Sequence, residues 1–330
     1  MKTDLAYWLQ RFFREHLLQQ RNVSSATIEA YRDTFRLLLQ FLRGQQRRAP
    51  SALSVDVFTA EVVVKFLEHL ELDRHNAIST RNARLAALRS FVRYLEDWLG
   101  PELASATRRI LAIPFKRYPK PMIGYLLREE IEAVLAATGD TWTGSRDYLL
   151  FLLLYNTGAR ISEILNLRAR DVLGSGGRLV HLQGKGRKCR TLPLWPKTQR
   201  CLREWIKRNK LAPEAPLLPN RLGHVLTRSG AAKQLQELID RAKAKLPSLQ
   251  KRRISLHQIR HATAMHMLEA GVSAEVIGLW LGHESPNTTH GYVEASLVMK
   301  RRALATLQSP QTKGHKPRLA DSLLRFLDAL

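Results

Sequence analysis

Across most of its 330 residues the chain repeats apolar side chains at intervals of three and four, and one segment changes that period to two. RLVHLQGKGRKCRTLPL, residues 178–194, alternates apolar with polar residues and is punctuated by Gly184 and Gly186. Period two demands a strand, whereas a period of 3.6 demands a helix. The chain is therefore expected to be mainly α with one small β-hairpin. Its longest apolar run, Tyr148–Tyr155, is far short of the roughly 20 residues that a membrane span needs.

The helical pattern falls into two blocks. Residues 4–21 put Leu5, Trp8, Leu9, Phe12 and Phe13 on one side. A second helix follows a cap at Ser24 or Ser25 and carries Ile28, Tyr31, Phe35, Leu38, Leu39 and Leu42, with Gly44 and Pro50 marking the break. Thr59 opens a third. Ser79 opens a fourth, whose Arg81, Arg84, Arg89 and Arg93 face away from its apolar side. These make a small all-helical domain over residues 1–113. PFKRYPKP, residues 114–121, interrupts every pattern and reads as an interdomain linker, either one that also touches the ligand or one that is merely solvated. A second domain spans 122–307, with helices over Leu127–Ala137, through Asp147 to Tyr155, Lys197–Asn209 and Gly230–Lys245. Residues 308–330 are a loose linker and an amphipathic helix with Leu319, Leu323, Phe326, Leu327 and Leu330 on one face. A helix of about three turns is marginal alone, so that face must dock somewhere.

The balance of 53 Lys+Arg against 29 Asp+Glu leaves a formal charge of +24 on a chain with an ordinary hydrophobic fraction. A folded, strongly cationic protein points to a polyanion, and nucleic acid comes before an anionic membrane surface. A membrane-surface protein would need a basic amphipathic face with exposed aromatics, and the Arg-bearing helices lack that segregation. Two cysteines, Cys189 and Cys201, are too few for a disulfide framework or a Cys-based metal site. The N-terminus has an early Asp4 and no long apolar core, so a secretory signal is not expected, and a cytoplasmic location is.

LHQIRHATAMH, residues 256–266, then poses a chemical problem. Helical spacing sets His257, Arg260 and His261 on one stripe beside Ile259, Ala262, Met265 and Met267, the signature of a core-packed helix. A guanidinium near a core is expensive unless something anionic meets it. The His257/His261 pair lacks the intervening Glu and any third ligand, so no metal is expected. Outward from this stretch lie TGARISEIL with Arg160, GKG at 184–186 with Lys185, LGHES with His283, and TTHGY with Tyr292.

Taken together, ARISE at 159–163, GKG at 184–186, HQIRH at 257–261, LGH at 281–283 and TTHGY at 288–292 resemble the tyrosine recombinase (phage integrase-like) family in order and separation. Gln258 and Ile259 depart from the residues usual between the His and the Arg. The resemblance covers nearly all of residues 4–305. It implies a helical core-binding (SAM-like) domain and a mixed α/β catalytic domain forming a C-shaped clamp around DNA. It also implies site-specific strand exchange through a 3′-phosphotyrosyl intermediate, without cofactor, metal or ATP. Arg160 and Arg260 would clamp the phosphate oxygens, and Tyr292 would attack phosphorus. Lys185 would protonate the leaving 5′-oxygen, His257 would accept the tyrosine proton, and His283 would hydrogen-bond the phosphate. Glu163 would orient Arg160 or Lys185, and His261 is assigned a structural role. The expected partner is double-stranded DNA carrying specific sites, bound by a dimer per site and a tetramer in the synapse, with no membrane. The terminal helix would then dock in trans rather than on its own catalytic domain. No arm-binding domain fits before Asp4, and the added tail inclines the reading to integration, excision or transposition of a mobile element. The alternatives are chromosome or plasmid dimer resolution, a type IB topoisomerase and a non-catalytic DNA-binding protein.

Overall fold

The computed structural model describes residues 4–46, 49–98, 104–119, 124–174, 176–184, 188–250, 252, 254–283 and 292. The chain divides into two compact units, Met1–Pro121 and Met122–Leu330.

The first unit is helical. Helix α1 (Leu5–Arg11) begins where Asp4 Oδ1 accepts the Ala6 N–H at 2.8 Å, and it continues as a wider π-helical stretch, Phe12–Gln20. Helix α2 (Ser25–Gln46) runs through Gly44 rather than stopping there. Helix α3 (Ala60–Leu72) is capped by the Thr59 hydroxyl on Val62 N–H. Helix α4 (Ile78–Glu96) is preceded by Ala77 at its cap position, so it begins one residue before the expected Ser79, and α5 (Ala104–Ala112) follows. The core is aromatic: Phe91 lies 5.2 Å from both Phe12 and Phe35, and Tyr94 lies 5.5 Å from Phe12.

Two features of this unit go beyond the sequence pattern. The α4 arginines, set off the apolar side, find partners of their own. Arg81 is buried beside Glu71, and Arg84 donates to the Ala30 carbonyl and the Thr34 hydroxyl at 2.8 and 3.0 Å. The first part of the linker is also tied down. The Pro114 carbonyl accepts from Arg81 at 3.0 Å, Asn82 exchanges two hydrogen bonds with the Lys116 backbone, and Arg89 stacks over Phe115. These bonds satisfy backbone groups in a proline-rich segment that cannot satisfy them through regular structure.

The second unit contains α6 (Arg128–Ala136), α7 (Trp142–Thr157), α8 (Ile161–Leu165) and α9 (Arg170–Leu173). The antiparallel hairpin comes next, β1 (Leu179–Gln183) and β2 (Cys189–Pro193), with Leu182 opposite Arg190. Helices α10 (Pro196–Arg208), α11 (Arg228–Lys243), α12 (Leu256–Glu269) and α13 (Ala274–Leu281) complete it. Helix α7 is buried on every side from Leu149 to Leu154 and packs against α10 and α12. A helical stretch that is apolar on every side belongs in a core. Among the described residues no helix is long and apolar enough to cross a membrane. The tail helix expected at the C-terminus lies outside the described residues.

Candidate active site

Helix α12 positions the residues that opened the chemical question. Its first turn is closed by Gln258, whose side-chain oxygen accepts the Ser255 N–H at 2.6 Å. The departure from the family pattern at 258 therefore serves as a reach-back cap. Ile259, Ala262 and Met265 face the core, and Arg260 goes in with them at 3% exposure. Its guanidinium donates to the Gly158 carbonyl at 2.7 Å and the Leu281 carbonyl at 2.9 Å. Burial, then the neighbouring Arg160, pushes its pKa down to about 10. Neutral carbonyls hold this cation; they do not neutralise it.

Both carbonyls come from helix ends that require glycine. Gly158 closes α7 at φ 59°, and a Cβ there would lie 2.5 Å from a Leu281 methyl. Gly282 closes α13 at φ 67°. Its N–H bonds the Leu279 carbonyl, and the His283 N–H bonds the Gly278 carbonyl at 3.0 Å, the double bond pattern of a glycine-stopped helix. That turn consumes two carbonyls and leaves the next three available. Trp280 accepts from Arg190 at 3.0 Å, Leu281 from Arg260 at 2.9 Å and Gly282 from Arg160 at 3.5 Å. Three consecutive carbonyls thus anchor three arginines at the negative end of one helix dipole.

Arg160 precedes α8, and Glu163 on that helix gathers the cluster. The buried Glu163 carboxylate accepts the Arg160 N–H at 2.8 Å, the Arg160 Nη1 at 3.1 Å and Arg190 through both terminal nitrogens, at 3.1 and 2.7 Å. Burial raises its pKa, but Arg190 and the Arg160 backbone outweigh that and hold it below the usual carboxylate range. The Arg160 side chain stays 35% exposed, so its fork can reach a ligand. Within this cluster three guanidinium groups face one carboxylate, a surplus of two positive charges.

Tyr292 is buried with its ring 4.9 Å from His261 and 5.9 Å from His283. Burial raises its phenol pKa, with Arg260 and Arg160 pulling the other way, so the hydroxyl is protonated near neutral pH. His261 also meets Tyr125 edge-on, and Tyr125 is held by a hydrogen bond to Glu269. Burial and the arginines push the His283 imidazole down to about 4, and burial, Arg260, Arg160 and Arg228 lower His257. Both imidazoles are neutral at pH 7. His257 lies on the exposed face of α12.

The structure thus brings together Arg160, Glu163, Arg260, His261, His283 and Tyr292, with His257 within electrostatic reach. Lys185 lies outside the described residues. Gly184, which precedes it, sits against Glu163 and Arg190. Arg190 was missed in the sequence. Its signal was parity: on β2 it shares the inward face with Leu192, where a cation needs a reason.

Comparison with known proteins bears directly on this cluster. A model described as the phage integrase family matches residues 125–297, and one for that family's N-terminal SAM-like domain matches residues 9–97. The chain belongs to the phage integrase family. It is 40% identical over 329 residues, 99% of each chain, to a putative integrase/recombinase, y4rC, of Sinorhizobium fredii. It is 31% identical to tyrosine recombinase XerC of Pelobacter propionicus over 87% of this chain and 90% of that one. Tyrosine recombinases are DNA strand-exchange enzymes that use a tyrosine nucleophile without ATP. The fold is shared with the XerH site-specific recombinase bound to a palindromic difH substrate (TM-score 0.66, 22% identity, 87% of this chain and 81% of that chain). It is shared also with the Tn1549 transposon integrase in complex with transposon right end DNA (TM-score 0.66, 15% identity, 89% and 97%).

Proposed function

We propose that this tyrosine recombinase cuts and rejoins DNA at specific sites through a 3′-phosphotyrosyl link to Tyr292, serving the integration, excision or transposition of a mobile element. The observation that carries the chemistry is the surplus of two positive charges beside Tyr292. A phosphodiester brings one negative charge, and attack by a phenolate raises that to two at the five-coordinate phosphorus. The site therefore binds the transition state more strongly than the ground state, which is what accelerates a reaction.

In this mechanism Arg160 and Arg260 hold the non-bridging oxygens, and neutral His283 donates a further hydrogen bond. His257, also neutral, takes the proton of Tyr292 as its oxygen bonds to phosphorus. The P–O5′ bond breaks and the leaving oxygen is protonated by Lys185. The same residues run the step backwards when another 5′-hydroxyl attacks, so no nucleotide is consumed. Dimers on each site and a tetramer in the synapse, acting in the cytoplasm, complete the scheme.

The mobile-element role draws on the full-length likeness to a putative integrase/recombinase. A second reading, resolution of chromosome or plasmid dimers, draws on the XerC likeness. Excision of a flanked cassette set against resolution of a plasmid dimer separates them. The chemistry is tested with a nicked suicide duplex in excess EDTA. The parent chain should trap a covalent adduct and Tyr292→Phe should trap none while binding DNA equally well. Adducts in that variant, or an absolute need for Mg²⁺, would overturn the mechanism.

A further inference from the structure

We infer that Arg190 is a positioning residue of the strand-cutting step, fixing Arg160 through Glu163; the inference rests on the reaction proposed above. Every donor nitrogen of this guanidinium is committed to the elements that carry the site. Nη1 and Nη2 straddle the Glu163 carboxylate on α8, and Nε donates to the Trp280 carbonyl at the end of α13. Arg190 thereby staples the inward face of β2 to both. It also fills the space beside Gly282, where a Cβ would lie 3.1 Å from its Nη1.

The consequence falls on Arg160. That side chain is steered by Glu163 Oε1 at 3.1 Å and only loosely by the Gly282 carbonyl at 3.5 Å. The direction of its fork therefore depends on where the carboxylate points, and the carboxylate's side-chain partner of shortest reach is Arg190 at 2.7 Å. Without Arg190 a buried carboxylate would keep one guanidinium instead of two and would be driven towards its neutral form. A neutral Glu163 no longer attracts Arg160, so the phosphate clamp loosens. Lysine cannot replace the fork, because a single ammonium cannot span both carboxylate oxygens and the Trp280 carbonyl together. Displacement of a positioning group by about 1 Å costs on the order of 100-fold in rate.

The test compares Arg190→Lys and Arg190→Gln in the full-length chain on two suicide duplexes. One carries an ordinary scissile phosphodiester. The other carries a methylphosphonate there, in which a methyl replaces one charged oxygen and removes the need for a full cationic clamp. On the ordinary duplex adduct formation should fall roughly 100-fold with DNA affinity within about 2-fold of the parent. On the methylphosphonate both variants should approach the parent rate, as Arg160→Ala should. A residue that merely supports the fold would lose rate equally on both duplexes. The Arg160→Ala/Arg190→Lys double variant asks whether the two side chains act through one clamp. If Arg190 acts through Arg160, the double variant cleaves no more slowly than Arg160→Ala. Multiplicative losses, an equal deficit on both duplexes, or parent-like cleavage by both single variants would overturn the inference. Failure of the parent to give a Tyr292-dependent adduct would instead count against the reaction itself.

Discussion

Replacing Arg260 with Met separates what this side chain does for the fold from what it does for the reaction. Met preserves the length of the stem and removes the charge. In the DNA-free protein the buried guanidinium is held at a pKa of about 10, more than two units below the ordinary arginine range. At about 1.4 kcal/mol per pKa unit, the charge costs the folded state roughly 3 kcal/mol. Against that, Met leaves the Gly158 and Leu281 carbonyls without a donor, at about 1–2 kcal/mol each. The two effects nearly cancel. The unfolding free energy of the catalytic unit should change by no more than about 1 kcal/mol, which is a shift of roughly 2–4 °C in melting temperature. Adduct formation on a suicide duplex should nevertheless fall by at least 10²- to 10³-fold, the usual cost of losing a preorganised oxyanion donor. The assay is thermal unfolding without DNA beside single-turnover cleavage. A loss of more than about 3 kcal/mol in DNA-free stability would refute the reasoning, because the guanidinium would then be a structural prop and not a cation awaiting its phosphate.

Other perturbations address the same site from different sides. Gly158→Ala forces a left-handed residue to carry a Cβ 2.5 Å from Leu281, so stability should fall by about 2–5 kcal/mol and cleavage with it; melting and adduct yields equal to the parent's would contradict the packing described. His283 is neutral in the folded protein down to about pH 4, whereas in the unfolded chain it protonates below about 6.5. The unfolded state therefore binds more protons between those values, and this group's contribution to stability is lost as pH falls through that window. Burial and then the arginines depress it, and a bound phosphate offsets the arginines, so DNA binding at about pH 5.5 should take up protons, and less in His283→Gln; calorimetry in buffers of different ionisation enthalpy would show no uptake if the phosphate sits elsewhere. Lys185→Ala should slow cleavage of ordinary DNA by roughly 10²- to 10⁴-fold and recover on a 5′-bridging phosphorothiolate, whose leaving group needs no proton; absence of recovery would move the acid role to another residue.

Much of the fold was legible because its determinants are local. Helical spacing marked the helices of both units, period two marked the hairpin, and Thr59 announced its helix by a hydroxyl that caps it. The boundary errors have local causes too. Helix α4 begins at Ile78 after Ala77, which has no side chain to cap it, so the nearest capping residue type in the sequence is Ser79, already inside the helix, and Gly44 is tolerated inside the last turn of α2. The types of residue at the site were equally legible, since a stripe of His257, Arg260 and His261 on an apolar helix has few uses without an anion.

The partners of those residues were not legible. Arg260 is anchored by carbonyls 102 and 21 residues away, and Arg160 by one 122 residues away. Backbone carbonyls carry no mark in a sequence, because every residue has one. Which of them remain free is decided by the glycine-stopped turn at the end of α13, and which arginines reach them is decided by how α8, α12 and β2 pack around it. Arg190 was hidden for the same reason: only the packing of its strand shows that an inward-facing cation meets Glu163. Side-chain pattern thus determined the helices, the hairpin and the demand for an anion. Tertiary structure decided where the charges are held, because helix ends distant in the chain supply the acceptors only once they have been brought together.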